Sequence, residues 1–177
     1  MKKVVVFFFA TFLGTIFCNA QGVNFMGIPV SNQSFDSFGE KLCQKASLDD
    51  VGIDPILGNR YADFHAYFAG FAGCLVHIYE DDAHYLSGIW VNLPAYAGAI
   101  GIKQVKADYN NLVKSYSQKY GTPETDDLNI ADMSVTFVSG NVRIEIEYIA
   151  YVNNTTHDDE AFIQISYHIQ NIHTKDI

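Results

Sequence analysis

The feature that most constrains this chain is a two-residue alternation of apolar and polar side chains that recurs in six separate segments. Between Tyr61 and Phe68, Ala62, Phe64, Ala66 and Phe68 fall on one side, while Tyr61, Asp63, His65 and Tyr67 fall on the other. Cys74, Val76 and Ile78 then alternate with Leu75, His77 and Tyr79. A third segment runs from His84 to Leu93 and stops at Pro94, which has no N–H to give a ladder. Met133, Val135 and Phe137 begin a second set of three, continued by Val142, Ile144, Ile146 and Tyr148 and by Ile163, Ile165, Tyr167 and Ile169. Segments of this kind are strands with one face buried and one wet, so the fold needs something apolar to cover them.

Two helical stripes supply the cover. Ser34 is a fitting N-cap, and Phe35, Phe38, Leu42 and Ala46 follow at helical spacing. After a Gly- and Ala-rich link from Ala95 to Gly101, the residues Val105, Tyr109, Leu112, Val113, Tyr116 and Tyr120 form a longer stripe, which Gly121 and Pro123 stop. Gln21 to Asn32 reads as an extended opening segment, and Ser47 to Arg60 keeps no period and reads as a loop or irregular crossover. The expected architecture is α+β: tandem α-βββ halves, about 21–94 and 95–177, with an antiparallel sheet and both helices packed on one face. One sheet or two layers stays open.

The first 20 residues have the three parts of a cleavable secretion signal: Lys2 and Lys3, an apolar run from Val4 to Phe17, and small residues ending at Ala20. The run is about 14 residues, short of the roughly 20 that cross a bilayer. The expectation is a single domain over 21–177, periplasmic or secreted, with no stable membrane insertion.

Formal net charge is −9, and removing Lys2 and Lys3 makes it more negative. The remaining basic residues are scattered, which argues against nucleic acid as a partner, because phosphate recognition draws on clustered Lys and Arg. Cys43 and Cys74 meet an oxidising compartment, which permits a disulfide between them; two buried thiols are the alternative.

Phe25-Met26-Gly27-Ile28-Pro29-Val30, Phe68-Ala69-Gly70 through Cys74, and Lys119-Tyr120-Gly121-Thr122-Pro123 resemble a family of small exported proteins of unknown function found in gut bacteria. The tandem order of helix and strands is also similar to the β-lactamase inhibitor protein fold, whose concave sheet grips a protein. The resemblance implies a binding domain with no known cofactor, and it supplies no catalytic residues.

The wet face of the sheet is the candidate site. Asp63, His65, Tyr67, His77, Tyr79 and Trp90 from the first half share it with Arg143, Glu145, Glu147 and His168 from the second. Aromatic and arginine side chains dominate interface hot spots, although open sheets also carry them. Asp63, His65, His77 and His84 include ligand types suited to zinc but lack a diagnostic spacing, and the acidic loops match no calcium pattern. No G-x-S-x-G is present. Glu145 and Glu147 have the spacing of paired carboxylates, though Arg143 beside them makes a charge ladder the simpler reading. The expected function is a non-enzymatic binding or interaction domain, with an unknown protein, peptide or glycan partner and no cofactor. The rival is a small hydrolase or glycan-processing enzyme using the same face.

Overall fold

Ser34 opens the first helix as its composition suggests: its hydroxyl accepts the Ser37 N–H at 3.3 Å, and the helix runs Phe35–Cys43 (α1). Phe35, Phe38 and Leu42 are its buried residues. In this computed structural model, residues 22–127 and 133–171 are described; the segment read as a secretion signal lies outside them. Before α1, strands β1 (Asn24–Phe25) and β2 (Ile28–Pro29) form a small hairpin turned by Met26 and Gly27, both at positive φ. Phe25 projects from it into the core, stacked on Phe68 and edge-on to Tyr167.

Strands β3 (Ser47–Ile53), β4 (Arg60–Phe68), β5 (Phe71–Glu80) and β6 (Leu86–Asn92) follow, then the short β7 (Tyr96–Ala97). Helix α2 spans Gly98–Tyr120, and β8 (Thr125–Asp127), β9 (Ser134–Ser139), β10 (Val142–Val152) and β11 (Asp159–Ile169) follow it among the described residues. Among the described residues nine strands make one antiparallel sheet in the order β3-β4-β5-β6-β11-β10-β9-β8, with β7 also paired to β11. The open question of one sheet or two layers is thus answered by the β6–β11 ladder, in which Trp90 stands opposite Ser166 and Val91 opposite Ile165.

Alternation located the faces correctly. Phe64, Val76, Ile144 and Ile165 are all buried, and they join one continuous core cluster with Phe25, Phe38 and Tyr167. Burying a side chain of this size contributes about 1.5–3 kcal/mol. Against this core, a Cβ on Gly39 of α1 would reach Ile78 Cδ1 at 4.0 Å, and Tyr116 of α2 meets the Tyr167 hydroxyl at 2.6 Å and the Phe137 ring at 6.0 Å. No helix among the described residues is long and apolar enough to cross a membrane.

Three expectations need correcting. Residues 47–53, read as loop, form the edge strand β3; with a neighbour on one side only, they are exposed on both faces, except for the half-buried Gly52, and so show no alternation. The link before the second stripe is helical from Gly98; its Ala and Gly residues carry no pattern from which that boundary could be read. No disulfide joins Cys43 to Cys74, and they are not two buried thiols either: Cys74 is sealed in β5, whereas Cys43 is exposed because Leu42 takes the inward place on the last turn of α1.

Candidate functional site

Register decides which of the wet-face residues meet. One row across the sheet reads Asp63, His77, Trp90, Ser166 and Glu145, each directly opposite the next. A neighbouring row reads Gly52, Tyr61, Tyr79, Gly88, His168 and Arg143. His65 and Glu147 stand in a third row on the other side of the first. Tyr67 is exposed at the β4–β5 turn, beyond a register shift.

The rings gather where the first two rows cross β4, β5 and β6. Tyr61 stacks on His77 at 5.2 Å, His77 stacks on Trp90 at 5.9 Å, and Tyr79 stands edge-on to both, 4.8 Å from His77 and 4.6 Å from Trp90. Two glycines allow this. Tyr79 lies over Gly88 and Tyr61 lies over Gly52, at distances that no Cβ would tolerate. The two phenols therefore lean in opposite directions, and a cleft of about 220 Å³ opens among Tyr61, His77, Tyr79, Trp90 and the loop residues Asp54, Leu57 and Asn59.

That loop is a built turn. The Asp54 carboxylate accepts the N–H groups of Ile56 and Leu57, both at 2.8 Å, and these bonds hold its pKa below the usual carboxylate range. Tyr61 donates to Asp50 at 2.9 Å; that bond, and then the charge of Asp50, raise the phenol above its ordinary value. The Tyr79 hydroxyl is buried with no hydrogen-bond partner among the described residues. Burial first, then the charges of Asp54 and Asp63, raise its pKa. At the rim, the buried Glu80 carboxylate faces Arg60 at 3.6 Å and His84 at 3.1 Å, and Arg60 also pairs with Asp36 at 2.7 Å.

Asp63 bonds Nδ1 of His77, so His77 is oriented by a carboxylate within the aromatic group. A shallower hollow of about 330 Å³ continues past His77 and Trp90 toward Asp49, Leu75 and Asn92. A larger one, about 480 Å³, lies elsewhere, between the β1–β2 hairpin and the end of α2, but there the Tyr116 and Tyr167 hydroxyls satisfy each other.

Of the residues expected at the site, Asp63, His77, Tyr79 and Trp90 come together. Arg143, Glu145, Glu147 and His168 lie on the other half of the sheet and line none of this cleft; Arg143 and Glu145 approach to 4.0 Å, as a charge ladder would. The histidines weighed as zinc ligands disperse into separate pairs, His77 with Asp63, His65 with Asp49 and His84 with Glu80. Among the described residues no group of three or more His, Cys, Asp or Glu side chains could hold a metal ion. Tyr61, of the same type and parity as Tyr67, belongs to the group although it was not among the expected residues. Gly88, a lone glycine inside a strand pattern, was the available signal of a close approach. No protein-family model, curated protein or solved structure matches the chain.

Proposed function

We propose that this chain is an exported, non-enzymatic binding domain, periplasmic or secreted, which engages a peptide, protein or glycan through the open face of β4–β6. The observation that carries the reading is the contact group of Tyr61, His77, Tyr79 and Trp90 around a cleft of about 220 Å³. Rings held half-exposed beside a concavity offer a large contact area at small entropic cost, the property that enriches them at recognition sites. On this reading the fold is two helix-plus-strand halves joined at β6–β11, each helix covering the apolar side of its own strands and leaving the opposite side free for a partner.

Arrays of peptides and glycans test it. Ligands captured by the chain should bind Trp90→Ala at least about tenfold more weakly, while the domain stays folded at a cost of about 1–3 kcal/mol from the lost ring contacts with His77 and Tyr79. Equal capture by the variant overturns the proposal. Intact mass of the exported protein, with cleavage before Gln21, tests the compartment.

One observation favours the enzymatic reading: a carboxylate-oriented imidazole, Asp63–His77, inside a cleft, as a general base requires. The Ser87 hydroxyl, which lines the same cleft, is committed to the Tyr79 carbonyl at 3.1 Å. Hydrolysis of any captured glycan or peptide, lost in His77→Gln with binding retained, would establish that reading instead.

A further inference from the structure

The chemistry of the cleft narrows its ligand, resting on the reading of this face as a binding surface. We propose that the cleft takes an alkylammonium group, the tip of a lysine side chain or of a free primary amine.

Three features converge on this chemistry. The first is ring geometry. Tyr79 stands at 82° to Trp90 and at 62° to His77, so the rings form walls at steep angles rather than one flat stack. Aromatic faces attract cations through their quadrupole. The second is charge. Asp54 and Glu80 line the cleft, Asp63 sits behind His77, and no Lys or Arg among the described residues lines it. Arg60, at the rim, is already paired with Asp36 and Glu80, and His77 is paired with Asp63. An anion would meet the Asp54 and Glu80 carboxylates and no Lys or Arg among the described lining residues. Burial first, and then the charges of Asp54 and Asp63, raise the Tyr79 phenol pKa.

The third feature is the Tyr79 hydroxyl, buried without a hydrogen-bond partner among the described residues. A buried polar group left unsatisfied is costly, and an N–H donor that reaches it as the Tyr79 ring shifts relieves it. A primary ammonium brings three such donors on an apolar stem; a quaternary ammonium brings none, and an aliphatic side chain would leave the hydroxyl unpaired. About 220 Å³ is the room of roughly seven water molecules, enough for one side-chain tip.

Trp90 is the only tryptophan in the chain, so its emission reports the cleft directly. The probes are Nα-acetyl-lysine methylamide, its norleucine counterpart and butylammonium, each titrated against the full domain with parallel calorimetry. The expected result is a saturable change in Trp90 emission with the lysine derivative, with norleucine roughly tenfold weaker. Tyr79→Phe and Asp54→Asn, which keep the ring and the turn acceptor, should each weaken the lysine derivative several-fold while the domain stays folded, Tyr79→Phe without lowering the thermal midpoint because it removes an unsatisfied hydroxyl.

Equal binding of norleucine and lysine overturns the cation inference and leaves the face a binding surface. Lysine binding that neither moves Trp90 emission nor responds to Asp54→Asn overturns both. No response from any probe at millimolar concentration overturns the ammonium proposal alone. Tighter binding of the lysine derivative than of butylammonium assigns the source to a polypeptide, and equal binding assigns it to a free amine. Either supports the shared chemistry.

Discussion

Tyr79 lies across Gly88, the residue directly opposite it on β6: a Cβ built on Gly88 would stand 2.6 Å from the Tyr79 ring. The same relation holds between Tyr61 and Gly52, where a Cβ would stand 2.7 Å from the phenol oxygen. Because Tyr61 and Tyr79 also face each other, the four residues form one row in which each ring is laid outward over a glycine. A packing device at the level of single atoms thus creates the cleft.

Gly88→Ala should therefore cost about 1–3 kcal/mol, since the methyl group and the ring cannot share the space and Tyr79 must leave its contacts with His77 and Trp90. Trp90 emission should change with it. Gly52→Ala should cost less than about 1 kcal/mol, because β3 is an edge strand and only the far end of Tyr61 has to move. Urea midpoints of the two variants check this; equal losses would mean that the ring over Gly88 is not a fixed contact.

What could be read in the sequence followed from backbone geometry, and what could not depended on register. Alternation is a local property of an extended chain, so the inward sets of Phe64, Val76, Ile144 and Ile165 were legible. So were the Ser34 cap and the Gly121 stop, the latter at φ 91°. Strand β3 was not, because an edge with two wet faces imposes no pattern on Leu48, Asp50 or Val51. The cleft was only half legible. His77, Tyr79 and Trp90 could be assigned to the wet face, but that Tyr79 meets Gly88 and Tyr61 meets Gly52 follows from pairing between distant segments, one of them read as loop.

The β4–β5 hairpin turns through Ala69 and Gly70, at φ 51° and 95°. Two positive φ values suit a two-residue hairpin, but alanine is a poor occupant of the first position because its Cβ crowds the backbone there. Ala69→Asn, giving the Asn-Gly pair that such turns favour, should stabilise the domain by about 1 kcal/mol. An increase in urea midpoint without a change in slope is the expected reading, and a loss would show that Ala69 is not strained in this turn.

Tyr116 and Tyr167 share one hydrogen bond between their hydroxyls at 2.6 Å, under α2. Tyr167 is only 2% exposed, so Tyr116→Phe leaves its hydroxyl buried and unpaired, at a cost of about 1–3 kcal/mol. Replacing both by Phe should cost less than the sum of the two single changes, since neither partner is then orphaned. A double-mutant cycle measures the coupling; additivity within error would show that the bond contributes nothing specific.

The same burial makes the fold sensitive to alkali. Burial, against the opposing hydrogen bond from Tyr167, pushes the Tyr116 phenol up to about 12; Tyr167 is raised well above the ordinary value and Tyr79 is raised as well, both chiefly by burial. An unfolded tyrosine ionises near pH ~10. A folded-state pKa above the unfolded one means that the folded chain holds protons the unfolded chain releases. The stability is then fully present below about pH 10 and falls as pH rises from there through the folded values. Each such tyrosine contributes at most about 1.4 kcal/mol per pH unit to that fall. Urea midpoints should accordingly be flat between about pH 8 and 9.5 and drop between about 10 and 12. Tyr79→Phe should make the drop shallower without removing it, because Tyr116 and Tyr167 remain. A variant curve parallel to the wild-type one across that window would mean that Tyr79 ionises as freely in the folded chain as in the unfolded one, which a buried hydroxyl beside Asp54 and Asp63 does not permit.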